Sequence, residues 1–229
     1  MGMIEIEVAG EKLVIHEFDD VYDSVTGRAL TGSWLWDSAL LLSQWMMIAQ
    51  GRVEFDFVGK NVIELGAGTG LPGLTAARLG ASRVILTDVE PLLPGLKNNV
   101  EANGLGDRVE VSRLVWGSDE LPSRVGELGG VDLVLMSDVF FDAAETAALG
   151  KMLKRICGEK TVVWAACEVR PWTGDCLNQL VSHGFELVEL PSQLSADYGD
   201  FSVFRLVQPT QGFKSEKESS MPLLNCKLA

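Results

Sequence analysis

From residue 61 onward, short apolar runs alternate with segments of helical periodicity. Runs such as VDLVLM at 131–136 and TVVWAA at 161–166 are apolar almost throughout, which is typical of strands buried on both faces. Strands of this kind form parallel sheets that are covered by helices. The pattern predicts seven strands, at 61–65, 83–87, 108–115, 131–136, 160–167, 185–190 and 200–207.

The last two of these strands have no helix between them. Residues 191–199 connect them directly, which allows the two strands to pair antiparallel. The predicted fold class is therefore α/β and Rossmann-like, with a seven-stranded, mostly parallel sheet and a reversed last strand. Helices are predicted on both faces of the sheet, at about 71–79, 90–102, 142–157 and 172–182.

A separate pattern precedes the sheet. Alternation at 3–8 and 12–16, around Ala9-Gly10-Glu11, predicts a small β-hairpin, and WDSALLLSQWMMIAQG predicts an apolar helix that ends at Gly51. The final residues are polar and lack periodicity, so we expect a flexible tail there. The resulting division is a hairpin and helix at 1–50 packed on the main fold, that fold at 51–207, and a tail at 208–229.

Charge and cysteine content argue against several classes of protein. Lys and Arg number 19 against 32 Asp and Glu, a net charge of -13, so we expect no nucleic-acid partner. The four cysteines lack metal-ligand spacing, so we expect reduced thiols and no metal. The chain shows neither a basic-then-apolar leader nor an uncharged stretch of bilayer length. We expect a monomeric cytoplasmic protein, with the nucleus as a second compartment and no membrane contact.

Glycines crowd the turn after the first strand of the sheet, in NVIELGAGTGLPG at 61–73. Ligands of open α/β sheets lie beyond the carboxyl ends of the strands, where glycine lets the backbone approach them closely. Such a loop alone is compatible with a dinucleotide, another nucleoside or a tight turn. Asp88 ends the next strand, RVILTD, where an acid can accept hydrogen bonds from both ribose hydroxyls or cap the following helix.

The motif ELGAGTG has an acid two residues before its first glycine. This motif and the reversed last strand resemble those of the seven-strand S-adenosylmethionine-dependent methyltransferases. The resemblance implies that the cofactor is S-adenosyl-L-methionine. It places Gly66, Ala67, Gly68 and Asp88 against that cofactor and makes Glu64 the family's motif acid. A buried acid in this position can equally be scaffolding for the loop.

Two tryptophans narrow the resemblance to the methyltransferases that modify lysines in non-histone proteins. TGSWLWDSALLLSQWM resembles that family's segment before the fold, in which Trp36 matches a residue over the cofactor. RLVWGSDE resembles its Trp-Gly motif, which places Trp116 beside the adenine, where a flat ring suits a flat purine. Either tryptophan, taken singly, can instead be a core residue.

A third stretch, SDVFFD at 137–142, stands where that family has Asp-x-x-Tyr. The resemblance implies that Asp138 positions the substrate amine, that Ser137 lies at the methyl end of the cofactor, and that Phe140 and Phe141 wall the lysine channel. Phe141 lacks the hydroxyl of the family's tyrosine, and a relative thought to act on arginine shares a DVFF-type sequence. Asp138 can alternatively be the cap of the helix at 142–157.

Two charged residues follow the fifth strand, in ACEVRPW. Glu168 and Arg170 lie at the same predicted edge of the sheet, where they either contact a peptide or form a solvated pair.

The resemblance implies a protein N-methyltransferase that transfers methyl to a lysine side chain of a non-histone protein. Such a reaction needs positioning and an uncharged amine, which an apolar channel favours. Three alternatives stay open: a protein-arginine methyltransferase, a small-molecule methyltransferase on the same fold, and a catalytically silent binding module.

Overall fold

A computed structural model of the chain describes residues 2–8, 10–19, 21–191 and 200–208. Within them the strands are β1 (Met3–Val8), β2 (Glu11–His16), β3 (Asn61–Leu65), β4 (Arg83–Asp88), β5 (Val109–Arg113), β6 (Leu133–Ser137), β7 (Val162–Glu168), β8 (Glu186–Leu190) and β9 (Phe201–Val207). The helices are α1 (Asp37–Met47), α2 (Ala49–Glu54), α3 (Leu71–Arg78), α4 (Leu93–Ala102), α5 (Ser123–Gly126), α6 (Ala143–Ile156) and α7 (Thr173–Ser182). Two short 3-10 turns span Thr31–Ser33 and Glu90–Leu92.

The main sheet confirms the predicted fold class. Its seven strands run in the order β5-β4-β3-β6-β7-β9-β8. Strands β5, β4, β3, β6 and β7 pair in parallel, whereas β9 pairs antiparallel with both β7 and β8. The reversed strand therefore lies inside the sheet, between β7 and the edge strand β8.

Alternating residues of the strands enter two cores, one on each face of the sheet. On β3, for example, Val62 belongs to the core that α1, α3 and the hairpin cover, whereas Ile63 belongs to the core beneath α6 and α7. Trp45 of α1 packs edge-on against Trp164 of β7, with ring centroids 4.8 Å apart. Burial on both faces explains why these strands are apolar without interruption.

The N-terminal hairpin, β1 and β2, is attached to the C-terminal end of α4 through the side chains of Asn99, on the helix, and Asn103, which caps it. Asn103 accepts from the Val14 amide at 2.8 Å and donates to the Val14 carbonyl at 2.7 Å. Asn99 makes the same pair of bonds with His16, at 2.9 and 3.1 Å. Residues four apart on a helix thus match residues two apart on a strand, and each side-chain amide acts as a backbone peptide group would in a sheet.

Two local predictions differ from the structure. The apolar helix predicted to end at Gly51 breaks at Ile48, whose ψ of 164° is extended, and continues as α2. The short helix α5 was not predicted, because four residues carry too little periodicity to be recognised.

Other expectations concern thiols, membranes and the tail. Cys157, Cys167 and Cys176 are free thiols. No helix in the described part of the chain is long and apolar enough to cross a bilayer. Cys226 and residues 209–229, nearly all of the predicted tail, lie outside the described residues.

Candidate active site

In an open parallel sheet, a crevice is expected where the strand order reverses, because the connections from two neighbouring strands then run in opposite directions. From β3 the chain proceeds to β4 and β5 on one side, and β6 and β7 lie on the other. The carboxyl ends of β3 and β6 therefore form the switch point, with the glycine loop after Leu65 and the segment after Ser137 facing each other across it.

Other segments of the chain pack closely on the glycine loop, which leaves no space for side chains at Gly66 and Gly68. Gly66 and Gly68 have left-handed φ values of +65° and +56°. A Cβ on Gly68 would lie 2.8 Å from the carbonyl oxygen of Gly32, in the turn that precedes α1. The segment before α1 thus rests directly on the loop. Ala67 is buried in the core, and its amide donates to the Thr87 carbonyl at 2.9 Å.

Asp88 fastens the loop to the end of β4. Its Oδ2 accepts from the Gly68 amide at 2.8 Å, and its Oδ1 accepts from the Val89 amide at 2.7 Å. Burial raises the pKa of Asp88 to about 6, although these two bonds favour the ionised form. Among the described residues no side chain caps the 3-10 turn after Val89, so Asp88 does not have the capping role that its position also allowed.

Glu64 lies beneath the loop and is fully buried. Its Oε2 accepts from the Gly73 amide, in the first turn of α3, at 2.8 Å, and its Oε1 has no hydrogen-bond partner among the described residues. Burial raises the pKa of Glu64 well above its usual range, which favours the neutral acid. These contacts match the scaffolding alternative for this residue.

Trp116 lies over the opposite end of the loop. A Cβ on Gly66 would be 3.0 Å from the Trp116 ring and 3.1 Å from Val139. The Trp116 ring also lies beside that of Phe141, with centroids 6.3 Å apart and an angle of 32° between the planes. The structure therefore brings Gly66, Trp116 and Phe141 together in one contiguous surface.

The four residues after Ser137 divide between core and surface. Ser137 is half-buried at the end of β6. Phe140, predicted to wall the channel, is instead buried in the core with 3% exposure, whereas Phe141 is 54% exposed. Helix α6 is capped by Asp142, which accepts from the amides of Ala144 and Glu145. Asp138 is therefore free of the capping role that the sequence left open.

Asp138 is held in an unusual conformation. Its φ of +53° is the one positive value among the non-glycine residues that the structure describes. A non-glycine residue in this region is strained, and such strain concentrates at functional sites. The Asp138 amide donates to the Ala166 carbonyl at 2.9 Å, and the carboxylate meets Arg170 through both oxygens, each at 3.1 Å.

Arg170 contacts both Asp138 and Trp36, which lie far from it in the sequence. Besides Asp138 it binds Glu168 at 2.7 Å, and its guanidinium carbon lies 5.7 Å from the centre of the Trp36 ring. The Trp36 indole nitrogen donates to the Thr31 carbonyl at 2.9 Å, which fixes the ring. Partial burial opposes the charge of Arg170, but Asp138 and Glu168 outweigh it and raise the pKa of Arg170. The sequence predicted only that Glu168 and Arg170 lie at this edge.

The site has the features that a nucleoside cofactor requires. The left-handed glycines form a cradle that is free of side chains, and Asp88 has spare lone pairs on both oxygens after accepting two amide bonds. The described residues contain no cluster of three or more side chains suited to a metal ion. The residues present therefore fit the ribose of the cofactor that the resemblance implies.

Comparison with known proteins agrees with this geometry. A model of a lysine methyltransferase family matches residues 22–180, more than half of the 229 residues. The chain belongs to this lysine methyltransferase family. The matched range includes the segment of Trp36, the glycine loop, Asp138 and Arg170.

Two relatives of this family member are themselves named as lysine methyltransferases. Protein N-lysine methyltransferase METTL21A of Danio rerio is 42% identical over 141 residues, covering 59% of this chain and 60% of the relative. EEF1A lysine methyltransferase 3 of Mus musculus is 36% identical over 137 residues, covering 59% of this chain and 55% of the relative. The chain thus matches about three fifths of the length of these relatives.

Among solved structures, the Thermus thermophilus 16S rRNA N2 G1207 methyltransferase, solved with AdoMet and guanosine, is similar to this lysine methyltransferase family member. Its TM-score is 0.64 at 17% identity, with coverage of 91% of this chain and 50% of that one. The glycopeptide N-methyltransferase MtfA has a TM-score of 0.58 at 14% identity, with coverage of 77% and 92%. At such identities the likeness shows the shared fold.

Proposed function

We propose that the protein is an S-adenosylmethionine-dependent methyltransferase that acts on a lysine side chain of another protein. One observation carries this proposal: in a chain of the lysine methyltransferase family, the glycine cradle with Asp88 and the pair Asp138 and Phe141 meet at one switch point of the sheet. The cradle is suited to the cofactor, and the pair is suited to an amine.

The residues divide into two groups by task. Gly66 and Gly68 allow close approach of the cofactor, Asp88 accepts from its ribose, and Trp36 and Trp116 flank it. Glu64 and Ala67 lie in the core beneath the loop and support its shape. When bound, S-adenosylmethionine supplies the methyl group: the amine lone pair forms the C–N bond while the C–S bond breaks and its electrons remain on sulfur.

The acceptor side of the site is formed by Ser137, Asp138 and Phe141. The Asp138 carboxylate orients the amine, and the exposed Phe141 ring offers an apolar wall beside it. The ammonium proton leaves to solvent water before transfer, because only the uncharged amine has a lone pair. Burial of the amine against such a wall lowers its pKa and favours this loss.

A protein is the acceptor best suited to the surface around the site. Trp172 and Phe141, which follow β7 and β6, are exposed at the carboxyl edge of the sheet, at 46% and 54%. Large exposed aromatic side chains grouped at one edge are typical of surfaces that bind another protein. The name of one relative specifies EEF1A as its substrate, and we propose a protein acceptor here without assigning that identity.

The test is labelling of a methylation-depleted cell extract with radiolabelled S-adenosylmethionine. Wild type is compared with Asp138→Ala and with Asp142→Ala, which removes a helix cap four residues away and costs about 1 kcal/mol of stability. We expect a discrete protein band that yields methyl-lysine on acid hydrolysis, retained by Asp142→Ala and lost by Asp138→Ala.

Each other outcome rejects a part of the proposal. Methyl-arginine in the band would replace lysine by arginine as the acceptor. Label that appears only in the small-molecule fraction would identify a small-molecule methyltransferase. Cofactor binding with no label in any fraction would identify a binding module.

A further inference from the structure

Arg170 connects the two sides of the candidate site. It binds Asp138 through both carboxylate oxygens at 3.1 Å, binds Glu168 at 2.7 Å, and faces the Trp36 ring at 5.7 Å. The side chains of Arg170 and Asp138 are mostly buried, with 20% and 11% exposure. Their interaction is therefore screened less by solvent than a surface pair would be.

A free carboxylate beside the amine would work against methyl transfer. An opposite charge at close range stabilises the ammonium form and raises the pKa of the amine. Asp138 without a partner would therefore bind a lysine side chain well but hold it protonated, with no lone pair for the reaction. A cation beside Asp138 offsets this effect, because it neutralises the carboxylate and repels a second positive charge.

We propose that Arg170 is a positioning residue that neutralises Asp138 and so keeps the incoming amine in its uncharged, reactive form. This inference rests on the proposed lysine methylation. Arg170 thus weakens the binding of the ammonium form and increases the reactive fraction of the bound side chain. The same guanidinium holds Trp36 next to the acceptor side, which joins the cofactor cover to the lysine site.

The other ionisable groups around Asp138 do not replace Arg170. Glu168 is negatively charged, unlike Arg170, and it is more exposed than Asp138 and binds Arg170 itself. Cys167 is buried one residue from Glu168 on β7, and burial raises the pKa of its thiol to about 12, so it is uncharged at neutral pH. Among these groups, Arg170 is the one cation that contacts Asp138.

The principal test is the dependence of kcat on pH for Arg170→Gln, with the labelled protein of the extract experiment as the acceptor. We expect the rising limb of the profile to move up by about one pH unit or more. At pH 7, kcat should fall about tenfold per unit of that shift, and it should recover at high pH while KM does not rise. A purely structural role would instead raise KM and lower kcat equally at every pH.

Two variants separate charge from other effects. Arg170→Lys keeps the positive charge but loses the two-pronged contact, so its profile should stay close to that of wild type. Arg83→Gln removes an arginine of another ion pair, with Glu110 at 3.1 Å, at the amino end of β4 and far along the strand from the site. It should leave the profile unchanged.

Binding of n-butylamine, a lysine side chain without its backbone, gives a readout that does not need catalysis. It is titrated at pH 7 into the protein saturated with S-adenosylhomocysteine, and binding is followed by NMR. Arg170→Gln should bind the butylammonium ion more tightly than wild type, by about tenfold per unit of pKa shift. Equal or weaker binding would overturn the inference.

The two readouts distinguish this inference from the proposed function. If wild type labels no lysine but Arg170→Gln binds butylammonium more tightly, lysine methylation fails while the pairing role of Arg170 holds. If wild type labels lysine and the profile of Arg170→Gln is not shifted, the role of Arg170 fails while the proposed function holds.

Discussion

Gly68 and Gly104 share a left-handed backbone, with φ values of +56° and +62°, but their surroundings differ. A Cβ on Gly68 would lie 2.8 Å from the Gly32 carbonyl oxygen, whereas one on Gly104 would meet nothing within 4 Å. The comparison separates the cost of backbone conformation, which both residues share, from the cost of closing the space over the loop, which belongs to Gly68 alone.

We expect Gly68→Ala to lose S-adenosylmethionine affinity by at least about tenfold, because the added methyl pushes the Gly32 segment off the loop. Gly104→Ala should keep wild-type affinity. Both variants should lose about 1–2 kcal/mol of unfolding free energy through the left-handed alanine. Gly68→Ala should lose more than Gly104→Ala, because its methyl would lie 2.8 Å from the Gly32 carbonyl oxygen. Calorimetric titration and thermal unfolding check this, and equal cofactor affinity in the two variants would contradict it.

The pKa of Asp88, raised by burial to about 6, predicts how cofactor binding depends on pH. Only the ionised carboxylate accepts hydrogen bonds from two hydroxyls while it also accepts the Gly68 and Val89 amides. Affinity should therefore be constant above about pH 7 and fall about tenfold by pH 5, as the proton must first be removed.

Calorimetric titration from pH 5 to 7.5 measures this dependence. Asp88→Asn should bind S-adenosylmethionine weakly, and its affinity should not change between pH 5 and 7.5, because an amide does not titrate in this range. If the affinity of Asp88→Asn fell by the same factor toward pH 5 as that of wild type, the titrating group would be one other than Asp88.

At the scale of elements, α4 organises the N-terminal side of the site. Asn99 is fully buried and donates both to the His16 carbonyl on β2 and to the Thr69 carbonyl in the glycine loop, at 3.1 and 3.0 Å. One side chain therefore ties the hairpin to the cofactor loop, and no isolated pattern in the sequence shows this connection.

We expect Asn99→Asp to lose about 3 kcal/mol of stability and to weaken cofactor binding. The substitution removes both donors, leaves two carbonyls unpaired and buries a charge beside them. Its chain neighbour Asn98 is half-buried on the same helix, and Asn98→Asp should change stability by less than about 0.5 kcal/mol. Chemical unfolding and cofactor titration test this; a stable Asn99→Asp with wild-type affinity would disprove the coupling.

The whole molecule is strongly acidic, with a net charge of -13. A field of this sign attracts basic segments of a protein substrate and is screened by salt. Raising the salt from about 0.1 M to about 1 M shortens the screening length from about 10 to about 3 Å. The KM for a substrate peptide with basic flanks should rise severalfold over this range, with kcat unchanged.

The matched control is the same peptide with its basic flanking residues replaced by serine. Its KM should be higher at low salt and nearly independent of salt. Initial-rate measurements on both peptides make the comparison, and identical salt dependence of the two would show that the protein's charge plays no part in substrate binding.

The sequence predicted the sheet because the cause is local. Apolar residues that must be buried on both faces, broken by glycines and by helical periodicity, leave few arrangements other than a covered parallel sheet. The lack of helical periodicity in the sequence at 191–199 in turn indicated the reversed strand, and the structure confirms that β9 is antiparallel to its neighbours β7 and β8. The positions of Gly66, Gly68, Asp88 and Asp138 at one sheet edge follow from the same rule, while their roles stay predictions.

Tertiary structure decided which of these residues share contacts. Arg170 is 32 residues from Asp138, and Trp36 precedes Asp138 by 102 residues and Arg170 by 134, so their arrangement depends on how β6, β7 and the segment before α1 are packed. The left-handed backbone of Asp138 and the burial of Phe140 likewise depend on packing. Local pattern fixes strands and loops because it reflects burial along the chain, whereas contacts between distant segments appear only when the three-dimensional packing is known.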